Sequence, residues 1–252
     1  MNAALCSILL SSYEFSRKPS MKNKIFITLL IFGTTLFSTN ISFAQFPQWT
    51  EMKLFAGNWH DVGYSIYIDK HDNYYIAGQL QDPIPGSTPA NFQVDCREVP
   101  APRIGEVNGF VLRYDSNRNL TLQITLPGRP MEVRADSIGN IYVVGRVEYD
   151  YSFDGIDTIF NGGTGDGFIT KYSPEGNLLW YRIVKSGDND AIVSIDIRKD
   201  GNIAICGYAN GDATWFLEKW ITAPIDFVAT LNSDGRLNWV TSISQDLGGG
   251  AV

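Results

Sequence analysis

DGFITKYSPEGNLLWYRIV occupies Asp166 to Val184, and its reading decides the fold. Phe168, Thr170 and Tyr172 alternate with Ile169 and Lys171, the period of two that a β-strand imposes. Ser173 to Asn177 is a turn, because Pro, Gly and Asn supply the preset or left-handed dihedrals that a chain reversal needs. LLWYRIV then returns as a second strand, so the segment is a β-hairpin.

The hairpin is one part of a longer unit that recurs. NGFVLRY from Asn108 and IDFVATL from Ile225 repeat its first strand, and Phe110, Phe168 and Phe227 are 58 and 59 residues apart. SNRNLTL from Ser116 and NSDGRLNW from Asn232 repeat its turn, with Trp180 and Trp239 again 59 apart. Upstream, DKHDNYYIAG (Asp69), DSIGNIYVVG (Asp136) and RKDGNIAICG (Arg198) end on Gly78, Gly145 and Gly207, spaced by 67 and 62. In the middle copy GNIYVVG reads as a strand packed on both faces. With a segment around YSIYID, each copy holds four short strands, and no sustained helical period follows the leader. Four strands per repeat of roughly sixty residues predict an all-β fold: an incomplete β-propeller of about three four-stranded blades. A β-sandwich also has short, evenly spaced strands but does not require near-copies of one sequence.

The chain of 252 residues opens with a segment that stands outside the repeat. From Met21 a basic stretch (Lys22, Lys24) precedes an apolar run from Ile25 to Phe37, and Ser42 and Ala44 flank Phe43. That is the order of a secretory signal peptide cleaved between Ala44 and Gln45, and the apolar run is short for a membrane span. The expected division is an upstream extension at 1–20, with translation starting at Met21, and a signal peptide at 21–44. Propeller repeats then fill 45–252: a strand of a closing blade at 46–53, blade 1 at about 57–127, blade 2 at 128–187, blade 3 at 188–245, and the start of a further blade at 246–252. Trp49 matches Trp180 and Trp239, and Asp246 matches Asp61 and Asp190, so the chain begins on a last strand and ends before a first one. Three blades are fewer than the four to eight of a typical ring. The expected product is therefore truncated, with an apolar face and strand edges left open to another chain or to missing blades.

Of 20 basic and 27 acidic residues, the first 44 hold Arg17, Lys18, Lys22, Lys24 and Glu14, which leaves 16 against 26 and a formal charge of −10. Such a surface repels phosphate backbones, so nucleic acid is not an expected partner. Export permits a disulfide between Cys96 and Cys206. Cys206, however, stands where the other copies have Ala77 and Val144, the place of a small buried residue, which favours two free thiols.

GNIYVVG (139–145), FDGIDTIFNGG from Phe153 and GDGFITKYSPEGNLLW from Gly165 resemble the bacterial secreted β-propeller repeat, the seven-bladed SBBP type found in exported proteins of Bacteroidetes-like bacteria. The first copy departs from it through an insert from Gln79 to Asn108 that contains five prolines and Cys96. The resemblance implies an exported or surface propeller. A fold of this kind does not specify an activity.

No catalytic constellation stands out. His60 and His71 lie close together at turns, a pair compatible with a metal site or a base, although turn histidines are commonly just solvated. Asp61, Asp69, Asp136, Asp166, Asp190, Asp226 and Asp246 recur with the repeat, which points to capping of turns through backbone hydrogen bonds. Asp188, Asn189 and Asp190 offer oxygens to calcium but lack the length and the bidentate glutamate of a dedicated loop. GGTGDG from Gly162 has no helix after it and so cannot cradle a phosphate in the usual way. A quinone-dependent propeller enzyme would carry a tryptophan in each repeat, and Leu122 stands in its place in the first copy. Asp136-Ser137-Ile138 and Asp157-Thr158-Ile159 match a three-residue acceptor for O-glycosylation, as turn and strand-edge residues also would.

The expected function is a secreted or surface scaffold without a cofactor that binds a protein or a glycan through loops. The alternative is a propeller-fold hydrolase or lyase with its site at the central channel.

Overall fold

The computed structural model describes residues 55–56, 61–81, 92–94, 97–99, 107–155, 165–211, 213–222 and 226–243. They form seventeen strands and no helix, in agreement with the all-β expectation. The first sheet comprises β2 (Val62–Ile68), β3 (Tyr74–Gln81), β6 (Val107–Tyr114) and β7 (Leu120–Pro127). The second contains β8 (Arg129–Ala135), β9 (Ile141–Val147), β10 (Asp166–Tyr172) and β11 (Leu178–Lys185). The third is β12 (Asp190–Ile197), β13 (Ile203–Ala209), β16 (Asp226–Leu231) and β17 (Leu237–Ser242). Each is an antiparallel meander in which every strand pairs with the next, the architecture of an incomplete propeller.

The turns explain why the meander forms. In the first sheet Asp72 N donates to Asp69 O at 3.1 Å and Asp69 N to Asn73 O at 3.0 Å, and the same pair of bonds closes Asp136–Asn140 and Arg198–Asn202. The turns between third and fourth strands, Asp115–Asn119, Ser173–Asn177 and Asn232–Arg236, are closed in the same way. This geometry places the fourth residue in the left-handed region, and glycine holds that place at Gly139, Gly176, Gly201 and Gly235. Asp72 and Arg118 occupy it without being glycine, at φ of 59° and 66°.

The recurring glycine and phenylalanine are cross-strand partners: Gly78 faces Phe110, Gly145 faces Phe168 and Gly207 faces Phe227. A Cβ on Gly78, Gly145 or Gly207 would lie 2.8 or 2.9 Å from a ring carbon of its phenylalanine, and would also meet a carbonyl of the first strand. That strand bulges opposite the glycine in all three sheets, between Gly63 and Ser65, Pro130 and Glu132, and Ile192 and Ser194. The bulge tightens the local twist, and the ring fills the space the missing side chain leaves.

Two faces meet between each pair of sheets. Tyr75, Ala77 and Val111 of the first sheet pack with Val133, Ile141 and Val143 of the second. Tyr142, Val144 and Ile169 of the second pack with Ile195, Ile203 and Ala229 of the third. Each such side chain contributes roughly 1.5–3 kcal/mol by leaving water.

Three features differ from the sequence reading. Cys206 is a free thiol, as expected, but it is half-buried rather than enclosed, because no further sheet covers that face of the third one among the described residues. The insert of the first copy contributes β4 (Phe92–Val94) and β5 (Arg97–Val99), and β4 pairs with β1 (Phe55–Ala56) in a separate small sheet. The third copy sends out a hairpin, β14 (Ala213–Phe216) and β15 (Lys219–Thr222), which joins not its own sheet but the free edge of β11. The hairpin is drawn there because Phe216 is fully buried and meets Phe227 edge-on at 4.7 Å, while Leu217 N donates to Ile183 O at 2.8 Å. The predicted strand at 46–53 and the start of a further blade at 246–252 lie outside the described residues.

Candidate functional site

At the end of the sheets that carries the six turns, a groove of about 910 Å³ runs across all three sheets. Its floor holds the turn aspartates. Asp136 Oδ1 accepts from Ile138 N and Asn140 N, at 3.0 and 2.9 Å, and Oδ2 from Asn140 Nδ2 and the Tyr142 hydroxyl, at 2.8 and 3.2 Å. Asp69 repeats all four bonds with His71, Asn73 and Tyr75. Burial alone would raise the Asp69 pKa, but these donors hold it below the ordinary carboxylate value. Burial and the neighbouring carboxylate push the Tyr75 hydroxyl up to about 12. Asp69 and Asp136 thus cap their turns, as recurrence predicts, and Asp246 lies outside the described residues.

The cations of the groove are partly engaged in holding the sheets together. Arg113 Nη1 donates to Pro174 O at 2.8 Å, and Lys171, which occupies the same position one sheet on, donates to Ser233 O at 3.1 Å. Lys70, His71 and Lys199 remain exposed at the rim. His71 is a solvated turn residue whose backbone N binds Asp69, and His60 lies outside the described residues.

The second cavity, about 770 Å³, lies on the outer edge of the second sheet where β14 meets β11. Its walls include Trp180, Tyr181 and Trp215, with Asp154, Arg182 and Glu218 supplying charge. Trp220 stacks edge-on against Trp215 at 5.7 Å and is 65% exposed. Sequence repetition could not reveal this place, since it is built from the segment that breaks the repeat. The alternation in ATWFLEKWIT, with Leu217-Glu218 as a two-residue turn, was the available signal.

Asp190 is buried and accepts from Ser186 N, the Ser186 hydroxyl and Asn210 N. Asp188 Oδ1 instead accepts from Asn189 N at 2.7 Å. Among the described residues no three His, Cys, Asp or Glu side chains are grouped to hold a metal ion.

Asp166, expected to cap a turn, is instead fully enclosed, with the Tyr151 hydroxyl at 3.4 Å and Lys185 Nζ at 3.7 Å. Burial, opposed by Lys185 and reinforced by Asp190, raises its pKa to about 6.

Of the remaining residues singled out from sequence, Trp180 is half-buried and Trp239 is 48% exposed. Ser137 is exposed in its turn. Ala44, Gln45, Trp49 and Thr158 lie outside the described residues. No helix of the described residues is long and apolar enough to cross a membrane.

No family model matches the chain. An uncharacterized WD repeat-containing protein of Acanthamoeba polyphaga mimivirus is 30% identical over 146 residues, which covers 54% of this chain and 10% of that protein. The chain therefore spans about a tenth of that relative's length. The likeness is to a repeat of the β-propeller type.

Proposed function

We propose that this chain is a secreted or cell-surface scaffold of the bacterial secreted propeller-repeat type, and that it binds a glycan or a protein at the outer edge of its second sheet. The observation that carries this reading is the cavity walled by Trp180, Tyr181 and Trp215, beside the exposed ring of Trp220. Indole and phenol rings offer large flat apolar faces with a polar tip, and they anchor interfaces at little entropic cost. Asp154, Arg182 and Glu218 on the same wall supply hydrogen-bonding groups that fix orientation. The place also lies where the third copy departs from the repeat, and surface connections on a rigid frame are where binding specificity concentrates. The WD repeat likeness supports a scaffold role. Asp166 and Asp190, the carboxylates with raised pKa, have no accessible surface with which to meet a substrate.

The test is binding of the protein to a glycan array and to a panel of surface proteins, repeated with Trp215→Ala and Trp220→Ala. Binding should weaken at least tenfold in both variants while the far-ultraviolet spectrum is unchanged. Binding that is indifferent to both substitutions, or no binding to either panel, would overturn the reading. N-terminal sequencing of the exported protein should begin at Gln45.

A further inference from the structure

The turn end of the molecule gathers positive charge on a chain whose formal charge is −7. The turns Asp69–Asn73, Asp136–Asn140 and Arg198–Asn202 are equivalent in the three sheets, and their second residues, Lys70, Ser137 and Lys199, are all exposed in the groove that crosses them. Arg113 reaches from the first sheet to Pro174 O of the second, and Lys171 from the second to Ser233 O of the third. Taken sheet by sheet, the groove therefore presents Lys70, Arg113, Lys171 and Lys199 in that order. A neutral carbonyl leaves the charge of Arg113 or Lys171 in place, and among the described residues none of the four forms an ion pair.

The carboxylates of the groove are engaged elsewhere. Asp69 and Asp136 each spend both oxygens on four donors of their own turns. Asp200 Oδ2 lies 3.5 Å from Arg198, and its Oδ1 accepts from Asn202 N at 3.1 Å. Positive charge confined to one groove of an acidic chain draws in an anion and repels it from the rest of the surface.

We propose that this groove binds an acidic glycan, a linear saccharide whose carboxylate or sulfate groups recur along the chain. Cations repeated across three sheets match a ligand with repeated anions better than a single ion. An extended peptide is commonly held by the free edge of a strand, whereas the backbone at these turns is closed on itself by its own hydrogen bonds. The groove also offers little apolar enclosure for peptide side chains, since Ile138 on its wall is 75% exposed. This site is separate from the edge cavity and adds a second ligand to the reading above.

The test measures binding of the full chain to an oligogalacturonate and to a sulfated galactan oligomer, each against its uncharged counterpart, the methyl-esterified and the unsulfated form. At least one charged oligomer should bind, at least tenfold more tightly than its uncharged form, and should be released as salt rises. Lys70→Gln with Lys199→Gln, at exposed positions outside the core, should weaken binding at least tenfold, and Lys70→Arg with Lys199→Arg should retain it. Binding of neither charged oligomer, equal binding of the uncharged forms, or indifference to the double glutamine variant overturns the proposal. Tighter binding of polyglutamate or of single-stranded DNA overturns it as well, by making a peptide or a nucleic acid the occupant.

Discussion

The indole of Trp180 lies directly over Gly235, a residue of the next sheet held at φ 76°, and its Nε1 donates to Ser233 O at 3.3 Å. The contact joins a fourth strand to a neighbouring turn. It requires a glycine for two reasons, the backbone conformation and the space.

Those two reasons separate by substitution. Gly201→Ala, at φ 83° with its nearest neighbour at 3.5 Å, carries only the backbone penalty, about 1 kcal/mol. Gly235→Ala adds the clash with the indole and should cost about 2–3 kcal/mol in all, given the usual cost of overpacking. Urea unfolding of the two variants measures the difference, and equal losses would show that the indole moves aside freely.

Removal of the Asp136 carboxylate strips four donors of their acceptor, two of them backbone N–H groups. Asp136→Ala should destabilise by about 2–4 kcal/mol, on the scale of lost hydrogen bonds to a charged group. Asp115→Ala, whose turn is exposed and whose bonds go to Asn119, should cost clearly less, because water replaces the lost bonds. Thermal melts rank the two, and the reverse order would contradict the role assigned to Asp136.

Asp166 makes stability fall as pH rises. Its carboxyl titrates near 6 in the folded chain and near 3.8 when unfolded, so the folded state binds more protons between those values. The penalty is absent below pH 3.8, grows between 4 and 6, and is complete above 6, where two pH units correspond to about 3 kcal/mol at most. Asp190 is raised in the same direction, with burial as the main cause. Asp166→Asn should flatten the decline between pH 4 and 7. A variant whose stability tracks the native profile through that range would show that Asp166 is not the group responsible.

The three sheets were legible in the sequence because each requires the same local chemistry. Gly145 and Phe168 must face one another across a bulge, and Gly176 must turn left, so these residues return wherever the sheet returns. Cys206 was misread because burial at that position belongs to the neighbouring sheet, not to the strand that carries the residue. Asp166 escaped notice as a buried acid since its counterparts in the repeat, Asn108 and Ile225, gave no hint of an enclosed carboxylate. The edge cavity was invisible for a related reason: Trp215 and Trp220 have no copies, and their strand alternation is too brief to say which sheet they join.

The β14–β15 hairpin sets how the molecule comes apart. It leaves the third sheet, lies along the rim of the second and returns, so those two sheets are joined both face to face and by a strap across the outside. Among the described residues no such strap joins the first sheet to the second, which meet through their faces and through the Arg113–Pro174 and Leu122–Gly176 contacts. Under a pulling force or in denaturant, the second and third sheets therefore yield together as a single breaking unit, and the seam between the first and second is where the chain opens first.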